Sequence, residues 1–145
     1  VLARCVDKSS LLDGDRIVTR TRFEVLELVK GAAEPQLVLT LPGGKVEGDR
    51  LHIPGIPQFE PGDQLVLFLS KPDARGSPWP MGLGQGCYRA IEEDHQESTI
   101  LLQRGITPLP DGALSKAVTG KPFKVPLRQF LSQVRRSLAQ PTDVR

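Results

Sequence analysis

Aromatic side chains are scarce: one Trp, one Tyr and five Phe make up 5% of the 145 residues. The rows of exposed rings on which single-strand nucleic-acid binders stack bases are therefore missing, and no nucleic-acid partner is expected. Cysteine is limited to Cys5 and Cys87, and histidine to His52 and His95. None of the four has the close Cys/His spacing of a zinc site, so neither a metal nor a cofactor is implied. Apolar runs are short, far below the roughly 18 residues a membrane-spanning helix requires, so no transmembrane segment is predicted. The start, Val1-Leu2-Ala3-Arg4, has no signal-peptide pattern and reads as a product trimmed of something upstream.

Turn chemistry is what the chain has in excess. Its 14 Gly and 13 Pro fall between short apolar runs and do not cluster. That distribution predicts an ordered, mostly β fold with many turns, in one domain over residues 1–145. Val1 to Val6 reads as a short strand, followed by a polar turn from Asp7 to Asp15. In Arg16 to Lys30, Ile17, Thr19, Thr21, Phe23 and Val25 alternate with Val18, Arg20, Arg22 and Glu24, giving one buried and one wet face. The alternation slips at Leu26, which predicts a bulge. A long bent strand of this kind suits a small barrel.

Gln36 to Leu41 alternates again, and Pro42-Gly43 predicts a hairpin turn. Leu51 and Ile53 form a brief edge strand bounded by Pro54 and Pro57, and Glu60-Pro61-Gly62-Asp63 is a turn. In Gln64 to Ser70 both faces are apolar, so a second layer must cover this strand. Lys71 to Gln85 is a loop, and Gly86 to Glu92 with Ser98 to Arg104 forms a second hairpin. Gly105 to Val125 reads as irregular. Pro126 then opens a helix, with Leu127, Phe130, Leu131, Val134 and Leu138 on one stripe. That stripe is the natural cover for Val66 and Phe68.

Charge is uneven along the chain. Val1 to Asp111 holds 12 Lys or Arg against 16 Asp or Glu, whereas Gly112 to Arg145 holds 7 against 1. A basic tail of this kind docks on an acidic body more readily than it forms a nucleic-acid groove, given its two apolar-facing Phe.

No constellation reaches the strength of a catalytic motif. Gly43-Gly44-Lys45 lacks the spacing and the Ser/Thr of a phosphate loop. Glu92, Glu93, Asp94 and Glu97 surround a hairpin tip, where carboxylates are ordinarily solvated, and too few ligands are present for a calcium loop. Neither histidine has a nucleophile beside it in sequence; Asp94, His95 and Glu97 would be the first suspects of a dispersed hydrolase site. Trp79-Pro80-Met81-Gly82 joins the only Trp to the only Met on a long loop. It is either a contact site or a loop folded back over the barrel end. Cys5 and Cys87 either pair, as an oxidising compartment would favour, or are both free thiols.

Three stretches carry a family resemblance: Val18-Thr19-Arg20-Thr21-Arg22-Phe23-Glu24-Val25-Leu26-Glu27-Leu28-Val29-Lys30-Gly31, Leu41-Pro42-Gly43-Gly44, and Pro54-Gly55-Ile56-Pro57-Gln58-Phe59-Glu60-Pro61-Gly62-Asp63 leading into Leu67-Phe68-Leu69. With Gly84-Gln85-Gly86-Cys87-Tyr88 they resemble a family of uncharacterised bacterial exported proteins over Val1 to Ile91, which implies a periplasmic or extracellular location. More remotely, the order of strands is similar to the netrin-like module of the tissue inhibitors of metalloproteinases, an OB-type barrel with helices packed outside. Those inhibitors chelate zinc through an N-terminal Cys supported by a Cys-x-Cys pair. This chain starts at Val1 and has Cys5 alone, so that route is not supported.

The expected architecture is a small OB-like or netrin-like barrel of five to seven strands over residues 1–104, an irregular connection over 105–125, and a packed amphipathic helix over 126–138. The expected function is a non-catalytic, exported binding or accessory module for a protein or cell-envelope component. It would act through the loops Pro42 to Gly48 and Lys71 to Gly86, with Lys45, Trp79, Met81 and Gly82 as the contact residues. An inhibitor or partner of a secreted metalloprotease and a hydrolase with dispersed residues are the alternatives.

Overall fold

The computed structural model describes residues 1–92, 94–102 and 123–140. Nine strands precede one helix among them: β1 Leu2–Asp13, β2 Arg16–Glu27, β3 Gln36–Pro42, β4 Gly44–Val46, β5 Asp49–Leu51, β6 Gln64–Leu67, β7 Cys87–Ile91, β8 Thr99–Leu102, β9 Phe123–Pro126 and α1 Leu127–Ala139. Seven form an antiparallel sheet in the order β3-β2-β1-β6-β7-β8-β9, and β4 and β5 make a separate two-stranded ribbon. The fold is mostly β with a C-terminal helix, as expected. It is an open sheet where a closed barrel of five to seven strands was expected, although its form is compatible with a small OB-like fold.

Three boundaries differ from the sequence reading. Asp7 to Asp13 is strand, not turn: its polar residues pair across β2, Asp7 opposite Arg22 and Ser10 opposite Thr19, so cross-strand partners outweigh the residues' own turn preference. Pro42-Gly43 turns the chain out of the main sheet into β4 and does not close a hairpin with it. The end of the supposed irregular stretch is β9, paired with β8, because Val125 is needed in the core beside Ile100. The remainder of that stretch, 105–122, lies outside the described residues. The bulge at Leu26 is present: Leu2 faces Glu27 and Ala3 faces Val25, leaving Leu26 extra. A second extra residue, Val6, is on β1 between Cys5 and Asp7.

Two apolar cores lie on opposite faces and share β6. Leu2, Val66, Tyr88, Ile100 and Val125 form one with Leu127, Phe130 and Leu131 of α1, and Phe68 and Val134 pack against it. This is the helical cover anticipated from the two-faced apolar strand; Leu138, at the end of the stripe, is 40% exposed. Ala3, Cys5, Phe23, Leu39, Leu41, Leu65 and Leu67 form the other, closed by Phe59 from the segment between the ribbon and β6. Phe59 meets Phe23 edge to face, with ring centroids 5.0 Å apart. Two basic residues of α1 meet the acidic body: Arg128 lies 4.0 Å from Glu97, and Arg135 pairs with Glu27.

Candidate functional site

The β4–β5 ribbon stands over the edge of the second core and leaves a cleft of about 430 Å3 between itself and the main sheet. Period-two alternation puts Ser10 of β1, Thr19 and Thr21 of β2 and Leu41 of β3 on its wall. Thr19 donates to the carbonyl of Gly43 at 2.8 Å and lies 2.9 Å from the Ser10 hydroxyl, which is thereby left to donate to Thr19. This hydroxyl pair pins the corner from which the ribbon springs. Gly44 fits against it at φ +135, where a Cβ would lie 2.4 Å from Ser10 Oγ and 2.5 Å from Thr19 Oγ1.

The rim is cationic. Lys8, Lys45 and Arg50 line it, and no Asp or Glu lines the cleft among the described residues. Lys8 is tied to Glu60 by an ion pair. Lys45 and Arg50 are directly opposite each other across β4 and β5, and neither has a carboxylate partner among the described residues. Like charges in that register destabilise a ribbon. Thr21, on the wall below them, is only 4% exposed, but its hydroxyl is not among the buried polar atoms left without a partner, which among the described residues are those of Ser77 and Thr99, and it opens to the cleft. The floor is apolar, with Leu41, Ile53, Ile56 and Phe59.

Of the residues expected to make contacts, only Lys45 is at this cleft. Trp79 is turned inward: it packs half-buried against the second core, its N–H donates to Ser70 Oγ at 3.0 Å and its carbonyl accepts from Ser70 N–H at 2.8 Å. That is the folded-back loop of the two alternatives. Met81 is 60% exposed beyond it, next to Gly82, which leads into a short 3-10 turn at Leu83–Gly86. The structure thus does not join Trp79, Met81 and Gly82 to Lys45 in one site.

The carboxylate cluster is also dispersed. Asp94 and His95 are exposed turn residues at positive φ, while Glu97 accepts a hydrogen bond from the Arg128 N–H at 3.3 Å in the first turn of α1, which has no side-chain cap of its own. His52 is exposed, its Nδ1 3.4 Å from Gln58 Nε2. Sequence reasoning missed Thr21 and Arg50. The available signal for Thr21 was a second hydroxyl, after Thr19, on the inward face of β2 between Ile17 and Phe23.

Of the two alternatives for Cys5 and Cys87, both are free thiols, and strand register explains why they do not pair. The Cys5 N–H bonds to the Asp63 carbonyl, whereas Cys87 faces Leu67 on the far side of β6. Four residues along β6 and two strand spacings across put the Cα atoms about 16 Å apart, against the roughly 7 Å limit for a disulfide. Burial, then the Asp63 carboxylate, raises the Cys5 thiol, and burial raises Cys87 from 9.0 to about 12. Both are poor nucleophiles.

Each thiol holds its proton more tightly when folded than when unfolded, so this contribution to stability is complete below the ordinary value and is lost as pH rises through the folded one. Urea midpoints are expected to fall on going from pH 9 towards 12. At pH 8 native protein should alkylate slowly, since burial holds the Cys87 thiol protonated, and unreduced protein in urea should titrate two thiols. Fast native labelling, or no free thiol after denaturation, contradicts this placement.

Against protein-family models, curated proteins and solved structures, the chain gives no match.

Proposed function

We propose that the chain is a non-catalytic, exported binding or accessory module, engaging a protein or cell-envelope component through the ribbon cleft. One observation carries the reading: Lys45 and Arg50 oppose each other at the cleft mouth without a carboxylate to neutralise them. A ribbon serving only to cover the core would be more stable with a neutral or opposite-charge pair at that position. Burial and polarity also combine there as in a ligand site, an apolar floor under a few convergent polar groups. Export rests on the resemblance carried by the turn segments between Val18 and Tyr88. The absence of catalysis is proposed because Asp94 and His95 sit on an exposed turn, Glu97 is engaged by the Arg128 N–H, and burial holds both thiols protonated.

The test is a fragment screen by backbone-amide NMR, using cationic, neutral and anionic small molecules and short peptides. Binding is expected to shift the amides of Lys8, Ser10, Thr19, Thr21, Lys45 and Arg50. Shifts gathered on Lys71 to Gly86, or no shifts with any fragment, overturn the cleft as the working surface.

A further inference from the structure

We infer that the cleft takes a small amphiphilic anion, a carboxylate or phosphate group held between Arg50, Lys45 and the Thr21 hydroxyl with an apolar body on Leu41, Ile53 and Ile56. This deepens the binding-module reading and rests on it. A third, negative group between Lys45 and Arg50 converts their repulsion into attraction, and the planar guanidinium of Arg50 suits the forked oxygens of a carboxylate or phosphate. Thr21 adds a donor on the same wall. Its hydroxyl opens to the cleft that the residue lines and makes no hydrogen bond to the described residues, so it can donate to an oxygen acceptor there in place of water.

The floor excludes a bare inorganic ion as the preferred ligand. Leu41, Ile53 and Ile56 offer apolar surface that a hydrated ion leaves unused, whereas an alkyl body covers it. The volume, about 430 Å3, falls among small-ligand sites, which run from roughly 300 to 1,000 Å3. The anionic group could be carried by a soluble amphiphile or by a lipid headgroup, and the chemistry in the cleft is the same for both.

Calorimetry and amide NMR with octanoate, octyl phosphate, octanol and inorganic phosphate test the assignment on wild type, Arg50→Glu, Arg50→Gln and Thr21→Val. Octanoate or octyl phosphate is expected to move the cleft amides and to bind at least 10-fold more tightly than octanol or phosphate. Arg50→Glu should weaken that binding about 10-fold or more, with Arg50→Gln and Thr21→Val intermediate. The distinguishing signature is opposite signs: the urea midpoint should be unchanged or raised in all three variants, since the Arg50 variants remove a repulsion and Thr21→Val keeps the side chain's shape while removing a hydroxyl that opens to the cleft. Sedimentation with phosphatidylglycerol vesicles, lost in Arg50→Glu, assigns the group to a lipid headgroup; binding of the free amphiphile alone assigns it to a soluble ligand. Octanol binding as tightly as octanoate overturns the anion while leaving the cleft a binding site. Anion binding unaffected by Arg50→Glu and Thr21→Val overturns the assigned residues. No response to either anion overturns the inference, and the fragment screen then decides separately whether the cleft binds anything.

Discussion

Phe130→Ala is expected to lose about 3–5 kcal/mol of stability, because a large buried ring is removed where its neighbours cannot close in. Phe130 is 2% exposed. Its ring is 5.0 Å from that of Tyr88, which in turn meets Phe68 at 5.7 Å, so a relay of three rings bridges helix and sheet. Val66 and Ile100 are anchored in strands and cannot follow the lost ring. Urea unfolding with an unchanged slope would report this loss directly. A loss below about 1 kcal/mol would mean that α1 is not docked as described.

Gly86→Ala should cost about 3 kcal/mol, at the upper end for overpacking, although it adds one methyl group. A Cβ there would lie 2.3 Å from the carbonyl oxygen of Met81, and 3.1 Å from both the Met81 nitrogen and the Phe68 carbonyl oxygen. All three are backbone atoms, so no rotamer change relieves the overlap. The backbone is also fixed from both sides: Phe68 N–H donates to Gly86 and Met81 N–H to Phe68, each at 2.8 Å. Relief must come from displacing the segment that seats Trp79, so the variant's tryptophan emission should shift to the red as its midpoint falls. Gly14→Ala is the control, with open space around its Cβ, and only the strain of φ +66 should register. Equal losses in the two variants would show that close packing at Gly86 is not the cause.

The elements legible in the sequence were those whose pattern repeats. Ile17 to Val25 announced a strand with one wet face, Leu26 announced its bulge, and the stripe from Leu127 to Val134 announced the covering helix, because side-chain periodicity and burial express the same geometry. Asp7 to Asp13 was not legible, since a polar strand is held by partners on β2 that only pairing supplies. Sheet closure was hidden for a related reason: whether β3 meets β9 depends on accumulated twist, which local pattern does not encode. The cleft was legible only in fragments. Lys45 was visible beside a glycine turn, but its register opposite Arg50 and the hydroxyl of Thr21 beneath them come from a ribbon folding over a sheet. Trp79 was misleading because an aromatic on a loop looks the same in sequence whether it faces solvent or core.

The sharing of β6 by both cores has a kinetic side. β1 and β2 join through a two-residue turn, so their pairing is local and quick. β1 reaches β6 through only three residue pairs, and those bring together positions sixty apart, Arg4 with Gln64. Closing a loop of about that length costs on the order of 4 kcal/mol in chain entropy, more than three strand pairs return on their own. The closure becomes favourable only when Leu65 and Leu67 fill one core while Val66 enters the other. The ribbon-bearing half and the helical half are therefore expected to unfold together in one transition, since each needs β6 in place.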